Sequence, residues 1–241
     1  MVRLRDFILS FAILLFFSPI LSVVCFLVWR EDKHSPFYVA DRVGKNGELF
    51  SMVKLRSMVI NADMTGVDST SSQDQRITPI GHFIRKYKLD ELTQMWNVLL
   101  GDMSLVGPRP NVKRETDLYS DEENILLSVR PGITDFSSII FSDEGEILSG
   151  EEDPDLAYNQ LIRPWKSRLG IIYIKNRTFF IDIKVLLITA IAIINREKAI
   201  TLIQKVLQKV GCSTELLKIA SRKEKLYPFP PPGFEEIVTH R

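Results

Sequence analysis

The sequence predicts an α+β fold, mainly helical, with an apolar membrane helix at its N-terminus, and three observations carry that expectation. No charged residue occurs from Phe7 to Trp29; as a helix this run would rise about 35 Å, enough for a hydrocarbon core about 30 Å thick. Phe37-Tyr38-Val39 and Leu49 to Leu55 flank Gly44-Lys45-Asn46-Gly47, and Asn-Gly between extended runs marks a β-hairpin. Helical spacing then dominates, with Leu89, Leu92, Trp96 and Leu99 in one segment and Ile200, Ile203, Val206, Leu207 and Val210 in another.

A chain of 241 residues has room for one ordinary domain with appendages. Its formal net charge of +1 gives no general attraction to nucleic acid, and no nucleic-acid partner is expected. Cys25 and Cys212 are too few for a disulfide framework and lack metal-ligand spacing, which points to a reducing compartment. His34, His82 and His240 are scattered without zinc spacing.

In the apolar opening segment, a cleaved signal peptide is disfavoured: the run exceeds a usual apolar core and no Ala-x-Ala-like site follows. Ser18-Pro19 falls at its middle. Pro19 has no N–H for the Leu15 carbonyl, and the Ser18 hydroxyl is expected to turn back to the Leu14 carbonyl. A bend there would leave halves of about 18 Å, each able to enter one leaflet and return. Arg3 and Arg5 before the run and Arg30 and Lys33 after it give no basic asymmetry. The residues alone leave a re-entrant hairpin and a kinked single span equally open.

On the second strand of the hairpin, Lys54 and Arg56 are expected to share a face, reading either as two cations for a diphosphate or as a solvated edge. Residues 61–75, rich in Ser, Thr, Asp and Gly, predict a mobile loop able to close over a substrate. Thr78-Pro79 supplies an N-cap and an N1 proline for a helix that turns Ile80, Phe83 and Ile84 inward and projects Arg85. Asp90 and Glu91 then occupy the first turn of a helix that Gly101 ends. The positive end of that helix would receive a phosphate beside the two carboxylates, provided a divalent cation offsets their repulsion. Acids at a helix start also serve simply as caps, so the pair by itself carries both readings. Arg76, Arg85, Lys86 and Lys88 gather positive charge just ahead of it. Pro108 and Pro110 stiffen the backbone around Arg109, whose planar fork suits a phosphate, although Gly-Pro and Arg-Pro are also ordinary turn punctuation.

Arg130-Pro131-Gly132-Ile133-Thr134 predicts a tight turn, and Asp143 to Asp155 an acidic loop. Within it Asp153-Pro154-Asp155 matches the Asp-x-Asp metal motif of many nucleotide-sugar glycosyltransferases, a short pattern in a run of acids. Asp182 and Lys184 precede the apolar stretch Val185 to Ile194, which is too short to span. The late helices either lie on a membrane surface or close the core. From Ser221 onward, with Pro228-Phe229-Pro230-Pro231-Pro232, the chain is expected to be extended or disordered.

Taken in order, the central Ser18-Pro19, Lys54-Leu55-Arg56-Ser57-Met58, Leu89-Asp90-Glu91-Leu92 with Gln94 and Asn97, and the run from Gly101 to Pro110 through Gly107-Pro108-Arg109-Pro110 resemble the bacterial sugar transferases. These are the monotopic phosphoglycosyl transferases that begin lipid-linked glycan assembly, and the likeness covers about residues 1–200. The resemblance implies a re-entrant membrane helix over 1–33 with its kink at Ser18-Pro19 and a cytoplasmic catalytic domain with interfacial helices over 34–211; the Pro-rich tail, 212–241, lies outside the likeness. It implies transfer of a sugar phosphate from a UDP-sugar to polyprenol (undecaprenyl) phosphate with release of UMP, at the cytoplasmic face of the bacterial inner membrane, with Mg2+. By the same resemblance Asp90 is the nucleophile, Glu91 with Asp90 holds magnesium, and Arg85, Arg109 and Lys54 bind phosphate; Arg56 joins that phosphate-binding set through the face it is expected to share with Lys54. Asp182 matches a further family acid. Downstream glycosyltransferases would use the product; homodimerisation stays open. Lys86-Tyr87-Lys88 departs from the family, where many relatives carry Ser or Thr before the Leu, and bears on how the helix start is capped. Two other functions stand beside this one: a glycosyltransferase using Asp153 and Asp155, and a non-catalytic membrane adaptor.

Overall fold

In the computed structural model, which describes residues 2–66, 69–71 and 73–239, the N-terminal segment is a single helix, α1 (Val2–Asp32), continuous through Pro19. The Ser18 hydroxyl donates to the Leu15 carbonyl at 2.8 Å, one residue on from the expected Leu14. Leu15 is the acceptor that Pro19 cannot serve, so this bond mends the helix where the proline damages it. By length and apolarity α1 is able to cross a membrane. Its middle is bare, with Leu15, Phe16 and Ile20 exposed, whereas both ends are held by the rest of the chain.

Near the start of α1, the Arg3 guanidinium caps the Val98 and Leu99 carbonyls, and the Asp6 carboxylate accepts from Ser104 Oγ at 2.6 Å. Arg5 bridges Asp6 at 2.7 Å and Asp182 at 2.9 Å, both buried. Removing the Arg5 cation would leave two carboxylates away from water, a loss of about 3–5 kcal/mol for breaking a buried pair. Near its end, Val24 and Val28 pack with Leu55, Ile84 and Leu89, and Asp32 receives two N–H groups of Arg56.

The expected hairpin is present: β1 (Phe37–Val43) pairs antiparallel with β2 (Leu49–Leu55), and Asn46 and Gly47 turn the chain at φ 60° and 80°. Because β2 stops at Leu55, strand alternation ends before Arg56, which corrects the expectation that Lys54 and Arg56 share a face. In α2 (Pro79–Lys86) Thr78 caps the Gly81 N–H as predicted. Ile84 is buried, but Phe83 faces outward and packs on Tyr87, so only part of the expected inward set is inward.

The single helix expected from Leu89 divides into α3 (Leu89–Leu92) and α4 (Met95–Leu100), with Gly101 closing α4 at φ 100°. Between them the bonds from Gln94 N to Glu91 O and from Trp96 N to Thr93 O span three residues, tightening the turn and resetting the helical period. Met95 and Val98 therefore face the core while Trp96 and Leu100 face out. Residues 132–134, expected as a turn, form β4 (Gly132–Thr134), parallel to β3 (Ser104–Val106). The two meet closely at their ends: a Cβ on Gly132 would lie 2.1 Å from the Gly107 nitrogen, so the approach that carries Arg109 inward requires glycine.

Asp135 caps α5 (Phe136–Ile140), and α6 (Arg163–Asn176), α7 (Phe179–Ile194), α8 (Arg196–Lys209) and α9 (Thr214–Ser221) complete the domain. Ala199, Ile203, Val206 and Leu207 of α8 sit in the main core and Ile200 is buried beside them in sequence, settling that helix as a core element. On α7, Val185 and Ile188 are buried but Leu187, Ile193 and Ile194 are bare. The acidic stretch 143–155 is not simply a loop: it holds the helical turns Glu144–Ile147 and the start of Pro154–Ala157. The expected mobile loop 61–75 includes a 3-10 turn at Ala62–Thr65; its positions 67, 68 and 72, and His240, lie outside the described residues.

Candidate active site

Asn97 stitches the acidic segment to the hairpin. Its carboxamide accepts from the Val53 N–H at 3.0 Å and donates to the Ser51 carbonyl at 2.8 Å, as a further strand would. Thr93 holds the other side, its hydroxyl donating to the Asp90 carbonyl at 3.0 Å. Lys54, next along β2 after those contacts, is thereby set within the charge field of Asp90 and Glu91. The Gly107-Pro108-Arg109-Pro110 turn brings Arg109 in from the opposite side, where Nη1 donates to Glu91 Oε1 at 2.9 Å and to the Ile133 carbonyl at 3.0 Å. Arg85 enters from α2, fixed by a 3.0 Å bond to Ser57 Oγ. Lys54, Arg85, Asp90, Glu91 and Arg109 all line one cleft of about 930 Å³.

Four other expected residues lie elsewhere. Arg56 is buried against Asp32 and the Ser35 carbonyl, and Asp182 is fully buried between Arg5 and the Tyr173 hydroxyl, 2.7 Å away. Arg56 and Asp182 are thus placed outside the cleft, as the two grips on the opposite ends of α1. Ser18 and Pro19 are exposed at the middle of α1. The helix-dipole expectation is also corrected: α3 has four residues, too few for an appreciable macrodipole, and Lys88 stands at its N-cap with φ 55° and no side-chain cap. Positive potential in the cleft comes from side chains.

These side chains drive the two acids apart. Burial raises the pKa of Asp90 above the usual carboxylate range, a shift that the Lys54 cation opposes without cancelling. Burial acts on Glu91 too, but there Arg109, Lys88 and Lys54 outweigh it and hold the group below its ordinary value. Neighbouring acids separated in this way are suited to different tasks. Glu91 is tied to Arg109, whereas among the described residues the Asp90 carboxylate accepts no hydrogen bond. Lys54 is brought down to about 8, chiefly by burial. Its ammonium is therefore lost as pH rises through about 8, and the pH profile of kcat/KM should fall on that alkaline limb. Lys54→Arg should move the limb to higher pH; an unmoved limb would remove Lys54 from the charge balance.

Magnesium commonly takes one or two carboxylates and fills its shell with water and substrate phosphate oxygens. The Asp90–Glu91 pair offers that donor set, and among the described residues no cluster of three or more His, Cys, Asp or Glu forms a closed cage. Asp153 and Asp155 do not offer it. Asp153 accepts from the Asp155 and Leu156 N–H groups, both at 3.1 Å, and buried Asp155 accepts from Ser69 N–H at 2.6 Å. Both carboxylates are engaged as backbone caps.

Part of the cleft lining lies outside the residues the sequence singles out. Asp135, Tyr158 and Lys166 belong to it, with Lys166 paired to Glu144. An N-cap signal, Asp135 ahead of Ser138, marked the first of these; the Ser138 N–H donates to its carboxylate at 2.7 Å. Tyr158 and Lys166 carried no local signal, because a π turn at Tyr158–Ile162 breaks the helical period there.

Fold and cleft together define a helix-anchored α+β protein that holds three cations around a carboxylate pair, a class of site matched to phosphate groups. Residues 1–196 match the family model of the bacterial sugar transferases, and the chain belongs to that family. It is similar to the undecaprenyl-phosphate galactose phosphotransferase of Salmonella typhimurium, 35% identical over 212 residues that cover 82% of this chain and 41% of that protein. A UDP-galactose-lipid carrier transferase of Erwinia amylovora is 32% identical with the same coverages. The UDP-glucose:undecaprenyl-phosphate glucose-1-phosphate transferase of Klebsiella pneumoniae is 32% identical over 78% of this chain and 38% of its own length. The chain spans about two fifths of the length of these curated relatives.

Proposed function

We propose that this chain transfers a sugar-1-phosphate from a UDP-sugar to undecaprenyl phosphate and releases UMP. The observation that carries the reading is the desolvated Asp90 carboxylate, facing a cleft with Lys54, Arg85 and Arg109 and bound to none of them by a hydrogen bond among the described residues. Such a carboxylate is held ready to form a bond. Asp90 attacks the β-phosphorus; the new P–O bond forms as the bond to the bridging oxygen breaks, and that electron pair leaves with UMP. An oxygen of the lipid phosphate then attacks the aspartyl-phosphosugar, and the Asp90 carboxylate departs. Magnesium, when held by Glu91 and Asp90, supplies positive charge to the crowded phosphates. Arg109 keeps Glu91 charged and in place, and Arg85 and Lys54 offset the charge that moves onto the leaving group.

The same reading places α1 as a re-entrant element of the cytoplasmic face of the inner membrane. Support comes from its two gripped ends: Asp6 and Ser10 are buried on one side, Val24 and Val28 on the other. Ile13 and Leu14 still touch the main core and Leu21 the smaller one; the stretch 15–20 between them would rise about 9 Å as a helix, well short of a hydrocarbon core of about 30 Å. With both ends on one body, the lipid phosphate is met at the interface without extraction. Cysteines placed at Val2 and Lys33 should both react with a reagent added to one side of sealed vesicles; reaction of only one would indicate a span. The released nucleotide tests the chemistry: UMP supports phosphosugar transfer, and UDP would mean glycosyl transfer.

A further inference from the structure

The segment after α9 lies beyond residues 1–196 and beyond the chemistry above, yet it is bound to the wall of the same cleft. That wall is the π turn Tyr158–Ile162 with the first turns of α6. Tyr158 and Lys166 face the cleft, whereas Gln160, Trp165 and Arg168 meet the tail. A π turn widens the helix and sets a carbonyl out of step with its regular donor. Here the Gln160 carbonyl accepts from the Phe229 N–H at 3.0 Å, and the Gln160 carboxamide donates to the Val238 carbonyl at 2.7 Å.

The Phe229 ring lies over fully buried Trp165 with centroids 4.4 Å apart, and the Arg168 guanidinium stands 4.8 Å from its centroid. Arg168 also donates to the carbonyls of Pro230 at 2.9 Å and Pro164 at 2.8 Å, and Ser120 Oγ donates to the Pro232 carbonyl at 2.6 Å. Prolines suit such a strap, because a fixed φ leaves little freedom to lose and no N–H to satisfy. Within Pro228-Phe229-Pro230-Pro231-Pro232, Phe229 alone has an N–H to give, and it gives it to the π turn.

We propose that Phe229 is a positioning residue for the nucleotide-sugar donor. The C-terminal strap fixes the π turn so that the Tyr158 ring, with the Lys166 ammonium 5.2 Å from its centroid, forms a wall that receives a flat ring face of the donor, base or sugar. This rests on the function proposed above in taking the ligand as a nucleotide sugar. The tail acts on the cleft through Gln160 and Trp165.

Calorimetric titration of the full-length protein in nanodiscs, in an Asp90→Asn background that cannot form the covalent adduct, with UDP and with UDP-galactose, judges the strap separately from the Asp90 chemistry; KM and kcat are read in the Asp90 protein. Phe229→Ala and Tyr158→Ala should weaken UDP-galactose about tenfold, with the donor KM rising in step and kcat within about twofold, while Phe229→Tyr binds as wild type. Gln160→Ala, which removes only the Val238 bond, should shift affinity in the same direction. Weakening of both ligands places the base on the wall; weakening of UDP-galactose alone places the sugar there. Misfolding lowers the binding stoichiometry and kcat but leaves affinity and KM unchanged. Unchanged affinity for both ligands, or tighter binding after loss of Phe229, overturns the proposal.

Discussion

Asp90→Asn is expected to reduce UMP release by on the order of 10⁴-fold or more, because an amide of the same shape cannot form the phosphoryl bond. The fold should not suffer. Burial raises the Asp90 pKa, so the folded state takes up the charged carboxylate less readily than the unfolded chain does. A group raised in the folded state stabilises least once pH has passed above its folded value, and near neutrality the neutral Asn removes that penalty. The variant should melt at or slightly above the wild-type temperature while losing turnover. A variant that turns over at the wild-type rate would reduce the acid pair to a helix cap.

Arg109→Lys should cost about 10²–10³-fold in kcat, a loss comparable to removing one preorganised donor from an anion site. Arg109 reaches Glu91 and the Ile133 carbonyl through one guanidinium nitrogen, leaving other N–H groups of the planar fork available to a ligand. A lysine ammonium keeps the charge but not the fork. KM for the donor should change less than kcat, since the cation is needed most as charge moves onto the leaving phosphate. Equal activity in Arg109→Lys would mean that Arg109 only tethers Glu91. The Lys54 profile gives the complementary measurement, since its alkaline limb reports whether an ammonium is required in the same place.

What the sequence made legible was local. Asn46-Gly47, Thr78-Pro79 and Gly101 each act within a few residues, and each does in the structure what its chemistry required. The ordered motifs also brought Lys54, Arg85, Asp90, Glu91 and Arg109 to one cleft. What escaped was set by distant partners. Arg56 reads like Lys54 in a strand pattern, and only the end of β2 at Leu55 and the presence of Asp32 turn it away. Asp182 looks like a site acid ahead of an apolar run, but Arg5, far away in sequence, meets it under the protein surface. The strand at Gly132–Thr134 exists through its pairing with β3, and three residues with a Pro-Gly start carry no strand signal of their own. Trp96 shows the same limit on a helix: one tightened turn at Thr93-Gln94 shifted the buried face away from it.

Arg56 and Asp182 act at the two ends of α1 without lining the cleft. Asp182 and Arg56 fix where the apolar helix leaves and rejoins the domain; under the proposed function this sets the depth at which the cleft meets a lipid phosphate.

The central claim is that Asp90 itself becomes phosphorylated, and peptide mass spectrometry of full-length protein supplied with a UDP-sugar, acid-quenched before any polyprenol phosphate is added, measures it directly. The account predicts a sugar-phosphate mass on the peptide containing Asp90, absent from Asp90→Asn and discharged when the lipid is supplied. Active protein that carries no adduct, or carries it on another side chain, would contradict it.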